Sequence, residues 1–164
     1  MRIEKAGRIG FCPGVRRAIE MLEKVAHERG GIETLGAIVH NPQVLQRLAE
    51  IGVKVANSVD DIQGDTVAIG SHGVSPQIEE KIRARHINII NTTCPFVRRA
   101  QAAARRLAES GFFIIIYGDS DHPEVKGILG WAKGEGVATL DDRFIASLRR
   151  RDLPRRLGVL SQTT

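Results

Sequence analysis

Short apolar runs alternate along the chain with longer segments in which apolar residues recur every three or four positions. The runs predict buried β-strands and the longer segments predict amphipathic helices, because these periods match the two kinds of backbone. The predicted strands cover residues 32–35, 53–55, 66–69, 87–90, 112–117, 137–138 and 157–160, and the predicted helices cover residues 13–29, 42–51, 76–85, 95–110, 123–132 and 141–149. This alternation is typical of α/β proteins with parallel sheets.

Proline, glycine and asparagine mark the ends of the predicted helices. Pro13 opens the first helix, and the glycines that begin at Gly30 end it. Asn41 is a suitable cap for the second helix, with Pro42 at its first position and Gly52 just after its end. These local signals place each helix between two strands.

The chain also repeats itself. Residues 12–18 (CPGVRRA) recur as residues 94–100 (CPFVRRA), and His40, followed by Asn-Pro-Gln-Val, recurs as His122, followed by Pro-Glu-Val. The steps from 12 to 94 and from 40 to 122 are both 82 positions. A repeat of this kind predicts two small parallel-sheet α/β modules of the same design.

Composition narrows the class of protein. With 164 residues, 42% of them hydrophobic, the chain can bury a normal core. Two cysteines argue against a disulfide-stapled secreted scaffold, and no segment resembles a signal peptide or a membrane span, so we expect a cytoplasmic protein without a membrane partner. The net charge of +5 owes much to residues 149–156, which we interpret as a solvated loop; without interleaved aromatic residues they do not predict a nucleic-acid partner.

The two cysteines occupy matching places in the repeat. Cys12 and Cys94 each precede a proline that opens a predicted helix, so each sulfur is expected at a helix N-cap. The positive end of the helix dipole favours the thiolate, which is the metal-binding and nucleophilic form. A buried apolar cysteine is the alternative for either residue, but the matched positions favour a shared site.

Three histidines follow predicted strands. His40, His72 and His122 lie at or just beyond strand carboxyl ends, where open α/β sheets bind ligands. His40 and His122 also precede helices, a setting that suits a phosphate or diphosphate; three ordinary surface histidines are the alternative. Glu124 stands near His122, where the other copy has an amide, so it is a candidate proton donor, or else an ordinary first-turn glutamate.

Six motifs occur in an order that resembles a known family. They are Gly10-Phe11-Cys12-Pro13-Gly14-Val15, His40-Asn41-Pro42, Ser71-His72-Gly73, Thr92-Thr93-Cys94-Pro95, His122-Pro123-Glu124-Val125 and Ser161-Gln162-Thr163-Thr164. Together they resemble the LytB-type 4-hydroxy-3-methylbut-2-enyl diphosphate reductases. The resemblance implies an iron–sulfur enzyme of three α/β modules around a pseudo-threefold axis, of which this chain would hold two.

The resemblance also implies roles for individual residues. Cys12 and Cys94 match two of three ligands of a [4Fe–4S] cluster, and Glu124 matches the family's catalytic acid. The residues that match the family's substrate-binding positions are His40, His72, His122 and Thr164. The implied reaction is reductive dehydroxylation of 4-hydroxy-3-methylbut-2-enyl diphosphate, the last step of the methylerythritol phosphate route to isoprenoids. It yields isopentenyl and dimethylallyl diphosphate, with electrons from ferredoxin or flavodoxin.

The expected domain organisation leaves one module out. Residues 1–12 are predicted to form a strand of that third module, residues 13–94 the first module and residues 95–164 the second. A further copy would place another cysteine roughly 80–90 residues after Cys94, so we expect a truncated form of the enzyme, whose cluster lacks a ligand here. The alternatives are a zinc protein using Cys12, Cys94 and two histidines, and a non-catalytic anion-binding fragment using the histidines and the arginine run.

Overall fold

The computed structural model describes residues 3–7, 9–39, 41–147 and 156–163. The helices are α1 (Pro13–Arg29), α2 (Pro42–Glu50), α3 (Pro76–Ala84), α4 (Pro95–Glu109), α5 (Pro123–Trp131) and α6 (Asp142–Ser147). The strands are β1 (Ile32–Leu35), β2 (Val53–Ala56), β3 (Thr66–Ile69), β4 (Asn88–Asn91), β5 (Phe113–Tyr117), β6 (Gly136–Thr139) and β7 (Leu157–Ser161), with a 3₁₀ turn at Val59–Asp61. Each helix and strand predicted from residue 13 onward has a counterpart among the described residues, so the local signals were sufficient to find these elements.

The strands form two parallel sheets. The first has the order β2-β1-β3-β4 and the second the order β6-β5-β7. All five strand pairings are parallel. The prediction of repeated parallel-sheet α/β units is therefore confirmed. The sheets lie on either side of Cys94 in the sequence, and the division of the chain into modules at that residue stays a prediction.

The amino-terminal segment differs from its predicted form. Residues 3–7 and 9–12 belong to no strand or helix. A strand needs a neighbour that satisfies its backbone N–H and C=O groups, and the predicted neighbour was the sheet of a third module. The assignment of this segment to such a module stays a prediction.

Each sheet is covered by helices that bury an apolar face. Ala18, Leu22 and Ala26 of α1 pack with Ile32 and Val53 in the first sheet's core. A second cluster lies around Val67, Ile82 and Ile87, and the core of the second sheet holds Ala104, Ile114, Ile116, Val125 and Ile128. Burying one such side chain contributes roughly 1.5–3 kcal/mol relative to leaving it exposed, so these clusters stabilise the packing of the helices on the two sheets.

The helix ends explain how the loops are placed. The Oδ1 of Asn41 accepts a hydrogen bond from the N–H of Val44 at 3.1 Å, which caps α2 as predicted. Helix α1 ends at Gly30 with a φ of 74°, a left-handed conformation that glycine adopts without a steric cost. Since all strands of a sheet run the same way, the loops after β1, β3, β4, β5 and β7 emerge at the carboxyl edges of the sheets.

Within the described residues, no helix combines the length and the apolar character needed to cross a lipid bilayer.

Candidate functional site

The two thiols lie at the amino ends of α1 and α4. Cys12 is the N-cap of α1 and Cys94 is the N-cap of α4, and each is followed by a proline. Their carbonyl oxygens accept the first helical hydrogen bonds, from the N–H groups of Arg16 at 3.0 Å and Arg98 at 2.9 Å. Cys12 is exposed and Cys94 is half-buried, and neither forms a disulfide. Both thiols therefore stand at the positive ends of helix dipoles.

Gly14 is the point at which the two thiols meet. A Cβ built on Gly14 would lie 2.7 Å from the Sγ of Cys94 and 3.9 Å from the Sγ of Cys12. A side chain at this position would occupy the space that the sulfurs share. The sequence suggested that the two cysteines belong together, but it gave no role to the glycine two residues after Cys12. Periodicity carries no information about a contact between residues 14 and 94.

The two thiols and His72 line the same cavity. This cavity has a volume of about 240 Å³. Its walls are mostly apolar, and its lining residues are Phe11, Cys12, Val15, Ile38, Val39, Asn41, Ser71, His72 and Cys94. Two thiols and an imidazole thus face one largely apolar space at the carboxyl edge of the first sheet.

His72 meets His122 across the two sheets. Their ring centroids are 5.0 Å apart and the rings are nearly perpendicular. Glu124 is completely buried beside them, and one potential ligand atom from each of the three residues lies within 4.8 Å of those of the other two. Residues from both sheets therefore meet at one polar cluster, next to the cavity that His72 shares with the thiols.

The hydrogen bonding of His122 selects its tautomer. Its Nδ1 accepts a hydrogen bond from the N–H of Glu124 at 3.2 Å, so the ring caps its own helix α5. A nitrogen that accepts a hydrogen bond carries no proton, so in the neutral ring the proton is on Nε2. His122 therefore presents an N–H donor, which suits an anionic ligand better than a metal ion.

Glu124 is oriented by Thr163, a residue that the sequence did not single out. The Oε1 of Glu124 accepts hydrogen bonds from the N–H of Thr163 at 2.7 Å and from its hydroxyl at 2.8 Å. Thr163 follows β7, so it lies at the same sheet edge as the loops that carry the histidines. Its place just beyond a predicted strand end is the signal that could have found it, whereas the family resemblance implies a role only for its neighbour Thr164.

Two of the predicted site residues are outside the described residues. They are His40 and Thr164. The arginine run is largely outside them as well: Arg156 is described, and its guanidinium lies 5.5 Å from the ring centroid of Phe112. The structure therefore brings together Cys12, Cys94, His72, His122 and Glu124, and the roles given to all seven residues stay predictions.

The zinc alternative gains no support from the geometry. Among the described residues, the three potential metal ligands that come together are His72, His122 and Glu124, a group without either cysteine. A zinc site built from Cys12, Cys94 and two histidines would need all four donors around one point. His122 also offers the N–H face of its ring, as argued above.

A larger cavity lies at the opposite end of the first sheet. Its volume is about 630 Å³, and it is formed at the amino ends of β1, β2 and β3. Three of its charged groups have partners: Arg29 lies 3.5 Å from Asp65, and Glu33 accepts hydrogen bonds from the N–H groups of Gln63 and Gly64. None of its described lining residues is a cysteine or a histidine, so the smaller cavity is the better candidate for a chemical site.

Comparison with known protein families identifies the family to which the chain belongs. Residues 3–164 match the model of the family described as LytB protein. The chain belongs to the LytB family. Over all of its 164 residues it is 58% identical to a protein of Dehalococcoides mccartyi named 4-hydroxy-3-methylbut-2-enyl diphosphate reductase, and over a 165-residue alignment it is 40% identical to a protein of that name from Geobacter metallireducens. The resemblance seen in the motifs is thereby confirmed.

Solved structures of LytB-type enzymes share the fold. One is the structure of (E)-4-hydroxy-3-methyl-but-2-enyl diphosphate reductase, described as the terminal enzyme of the non-mevalonate pathway. It superposes with a TM-score of 0.81 at 37% identity, over 94% of this chain and 56% of that one. The reductase of Plasmodium falciparum superposes with a TM-score of 0.88 at 29% identity, over 94% and 49% of the two chains. The chain spans 57% of the length of its Dehalococcoides and Geobacter relatives.

Proposed function

We propose that this chain supplies the amino-terminal part of a 4-hydroxy-3-methylbut-2-enyl diphosphate reductase. The observation that carries the proposal is the meeting of Cys12 and Cys94 at two helix N-termini, in a cavity that His72 also lines. The names of the relatives support the same reaction, the reductive removal of a hydroxyl group from an allylic diphosphate. The products would be isopentenyl and dimethylallyl diphosphate.

The two cysteines are suitable ligands for an iron–sulfur cluster, but they are fewer than such a cluster usually takes. Thiolates are the usual ligands of [4Fe–4S] clusters, and the space around Gly14 is kept clear by the lack of a side chain there. Cys12 and Cys94 would hold two of the irons. Clusters of this type usually take three or four protein ligands, and the sequence has two cysteines, so a further ligand would come from outside these 164 residues. When bound, such a cluster supplies single electrons to its ligand.

The histidines would hold the diphosphate of the substrate. His122 offers its Nε2–H, and His72 lies with its ring centroid 5.0 Å away, so both can face one anionic group. Helix α5 begins at this point, and the partial positive charge of its amino end favours an anion. His40 would contribute from the amino end of α2.

Glu124 would deliver a proton to the substrate. It is fully buried, which shields a proton transfer from competing water. Thr163 holds Oε1 with two hydrogen bonds, so the carboxyl group has a fixed orientation before substrate arrives. We also propose Thr164 as a substrate contact, ferredoxin or flavodoxin as the electron donor, and the cytoplasm as the site of action.

A chimera tests this proposal directly. The chain would be joined to the remaining carboxyl-terminal part of the Dehalococcoides relative, loaded anaerobically with iron and sulfide, and assayed for substrate-dependent oxidation of reduced methyl viologen. We expect turnover, a loss of at least about 100-fold in kcat for Glu124→Gln, and loss of the cluster absorbance for Cys12→Ser or Cys94→Ser. A chimera that binds its cluster but does not consume the diphosphate, while the intact relative does, would contradict the proposal.

The anion-binding alternative gives a different result in the same experiment. A non-catalytic module would bind inorganic diphosphate through His72 and His122 but would not depend on Cys12 or Cys94. Iron content and turnover of the chimera, measured beside its affinity for inorganic diphosphate, separate the two functions. Diphosphate binding in a chimera that never acquires iron would favour the alternative.

A further inference from the structure

The loop that carries His72 is held from both sheets. This loop, residues 71–75, connects β3 to α3 and is called the His72 loop below. At its start, the hydroxyl of Ser71 donates to the carbonyl oxygen of Ile38 at 3.1 Å. The carbonyl oxygen of Ser71 accepts a hydrogen bond from the N–H of Cys94 at 2.9 Å. The loop is thus tied at one end to a residue of the thiol pair.

Two distant side chains hold the other end of the His72 loop. The carbonyl oxygen of Val74 accepts a hydrogen bond from the Nε1–H of Trp131 at 3.0 Å and another from the Nε2 amide of Gln101 at 3.4 Å. A carbonyl oxygen has two lone pairs, so these two donors fill its acceptor capacity. Gln101 is buried, with 8% of its surface exposed, although leucine would fill a similar space without a polar group to satisfy.

Glycines bring the loop and these side chains into close contact. Gly73 has a φ of 68°, and a Cβ there would lie 2.5 Å from the amide nitrogen of Gln101. On α5, a Cβ at Gly127 would lie 3.8 Å from the carbonyl oxygen of His72, and one at Gly130 would lie 2.3 Å from the Cβ of Ser75. The His72 loop therefore packs closely against α5 at these glycines.

Helix α5 connects the two histidines mechanically. His122 is its N-cap and Trp131 is its last residue, about 13 Å away at 1.5 Å per residue. One end of this short, stiff helix fixes His122, and the other end fixes the loop on which His72 is carried. A hydrogen bond at Val74 thereby sets the position of one imidazole relative to the other.

We propose that Trp131 and Gln101 are positioning residues for His72, which hold its ring at the distance from His122 that a diphosphate requires. The proposal rests on the proposed function, in which both histidines bind that group. Neither side chain has to touch the ligand. They restrict the motion of the His72 loop before the ligand binds, so binding does not have to order the loop. Pre-organisation of this kind raises affinity.

The experiment measures diphosphate affinity and the imidazole signals together. Trp131→Phe keeps the aromatic packing and removes the Nε1–H donor; Gln101→Met keeps the volume and removes the amide, and serves if the first variant does not fold. Thr34→Val is the matched control, because the buried Thr34 hydroxyl also donates to a loop carbonyl, that of Gly36 at 2.9 Å, away from the His72 loop. Calorimetry with inorganic diphosphate gives the affinity of the 164-residue chain, and carbon–proton NMR of the histidine rings reports their surroundings.

We expect Trp131→Phe and Gln101→Met to weaken diphosphate binding by about fivefold to tenfold and to shift the ring signals of His72, whereas Thr34→Val changes the affinity less than about twofold. In a His72→Ala background, Trp131→Phe should cost no further affinity, since its effect passes through His72. That non-additivity would not arise from a general loss of stability.

The possible failures are distinguishable. If His72→Ala and His122→Ala weaken binding but Trp131→Phe and Gln101→Met do not, the positioning role is wrong and the proposed site stands. Additive losses from Trp131→Phe and His72→Ala would also overturn the positioning role. If neither histidine variant affects diphosphate affinity, the proposed binding site itself is wrong, and the positioning role falls with it.

Discussion

Gly14 shows how a residue without a side chain can determine a site. Helix propensity alone favours Gly14→Ala by up to about 1 kcal/mol, because alanine loses less backbone entropy in a helix. The new Cβ, 2.7 Å from the Sγ of Cys94, opposes that gain. The Sγ of Cys94 can rotate away and relieve the overlap, so the fold is preserved. The same rotation disrupts the arrangement of the two thiols.

We therefore expect Gly14→Ala to change the free energy of unfolding by less than about 1 kcal/mol and to weaken Cd²⁺ binding by the thiols at least about tenfold. Urea unfolding measures the stability, and the sulfur-to-cadmium charge-transfer band in the ultraviolet measures the metal affinity. Gly7→Ala is the control, since a Cβ there would meet no atom within 4 Å. Unchanged cadmium affinity in Gly14→Ala would show that the space around this glycine is unimportant.

Thr163 contributes through its hydroxyl group. Thr163→Val keeps the shape and the backbone N–H but removes the 2.8 Å hydrogen bond to Oε1 of Glu124. Since that carboxylate is buried, we expect the free energy of unfolding to fall by about 1–2 kcal/mol, and Thr163→Ser to recover most of the loss. Urea unfolding of the two variants tests this. Equal losses for valine and serine would point to packing of the methyl group instead.

Gly130 brings helix α5 very close to the His72 loop. Gly130→Ala would place a Cβ 2.3 Å from the Cβ of Ser75, so the His72 loop and the helix would have to move apart. We expect a destabilisation of about 1–3 kcal/mol. Ser75→Gly alone should cost only a few tenths of a kcal/mol as a change of N-cap, and the double variant should recover part of the Gly130→Ala loss. A double-mutant cycle in urea measures the coupling; strict additivity would place the strain elsewhere.

The helices were predictable from the sequence because their signals are local. Pro13 and Pro42 open helices and Gly30 closes one, and each acts within a few residues of itself. Strand order was not predictable in this way, since β1 pairs with both β2 and β3 through hydrogen bonds between distant segments. The same limit applies to Trp131, which lies 57 positions from its acceptor Val74, and to Thr163, which lies 39 positions from Glu124. Only the repeat carried long-range information, and it pointed to the cysteines and histidines.

The whole chain is organised around contacts between its two sheets. The first sheet contributes His72 and the second contributes His122 and Glu124, while the thiols come from the two helix N-termini that the repeat relates. No single α/β unit holds the site. The repeat accounts for part of this arrangement: Cys12 and Cys94, which it relates, stand at matching helix N-termini, whereas His40, the repeat counterpart of His122, lies outside the described residues.

The second sheet has an open edge at β7, whereas the equivalent edge of β3 in the first sheet is covered. In the first sheet β3 is followed in space by β4, whereas β7, the equivalent of β3, pairs only with β5 among the described residues. Leu157 and Val159 of β7 are 42% and 70% exposed. A strand with one open edge and exposed apolar side chains is a template for pairing with another chain. We expect the 164-residue chain to associate reversibly as its concentration rises, and Val159→Lys to reduce this association by placing a charge on the strand. Sedimentation velocity over a range of concentrations measures this association.

Leu140→Lys is the control, because it adds the same charge at a 60% exposed apolar residue outside any strand. Equal effects of the two variants would attribute the association to net charge, and a chain that stays monomeric throughout would show that the edge of β7 is protected.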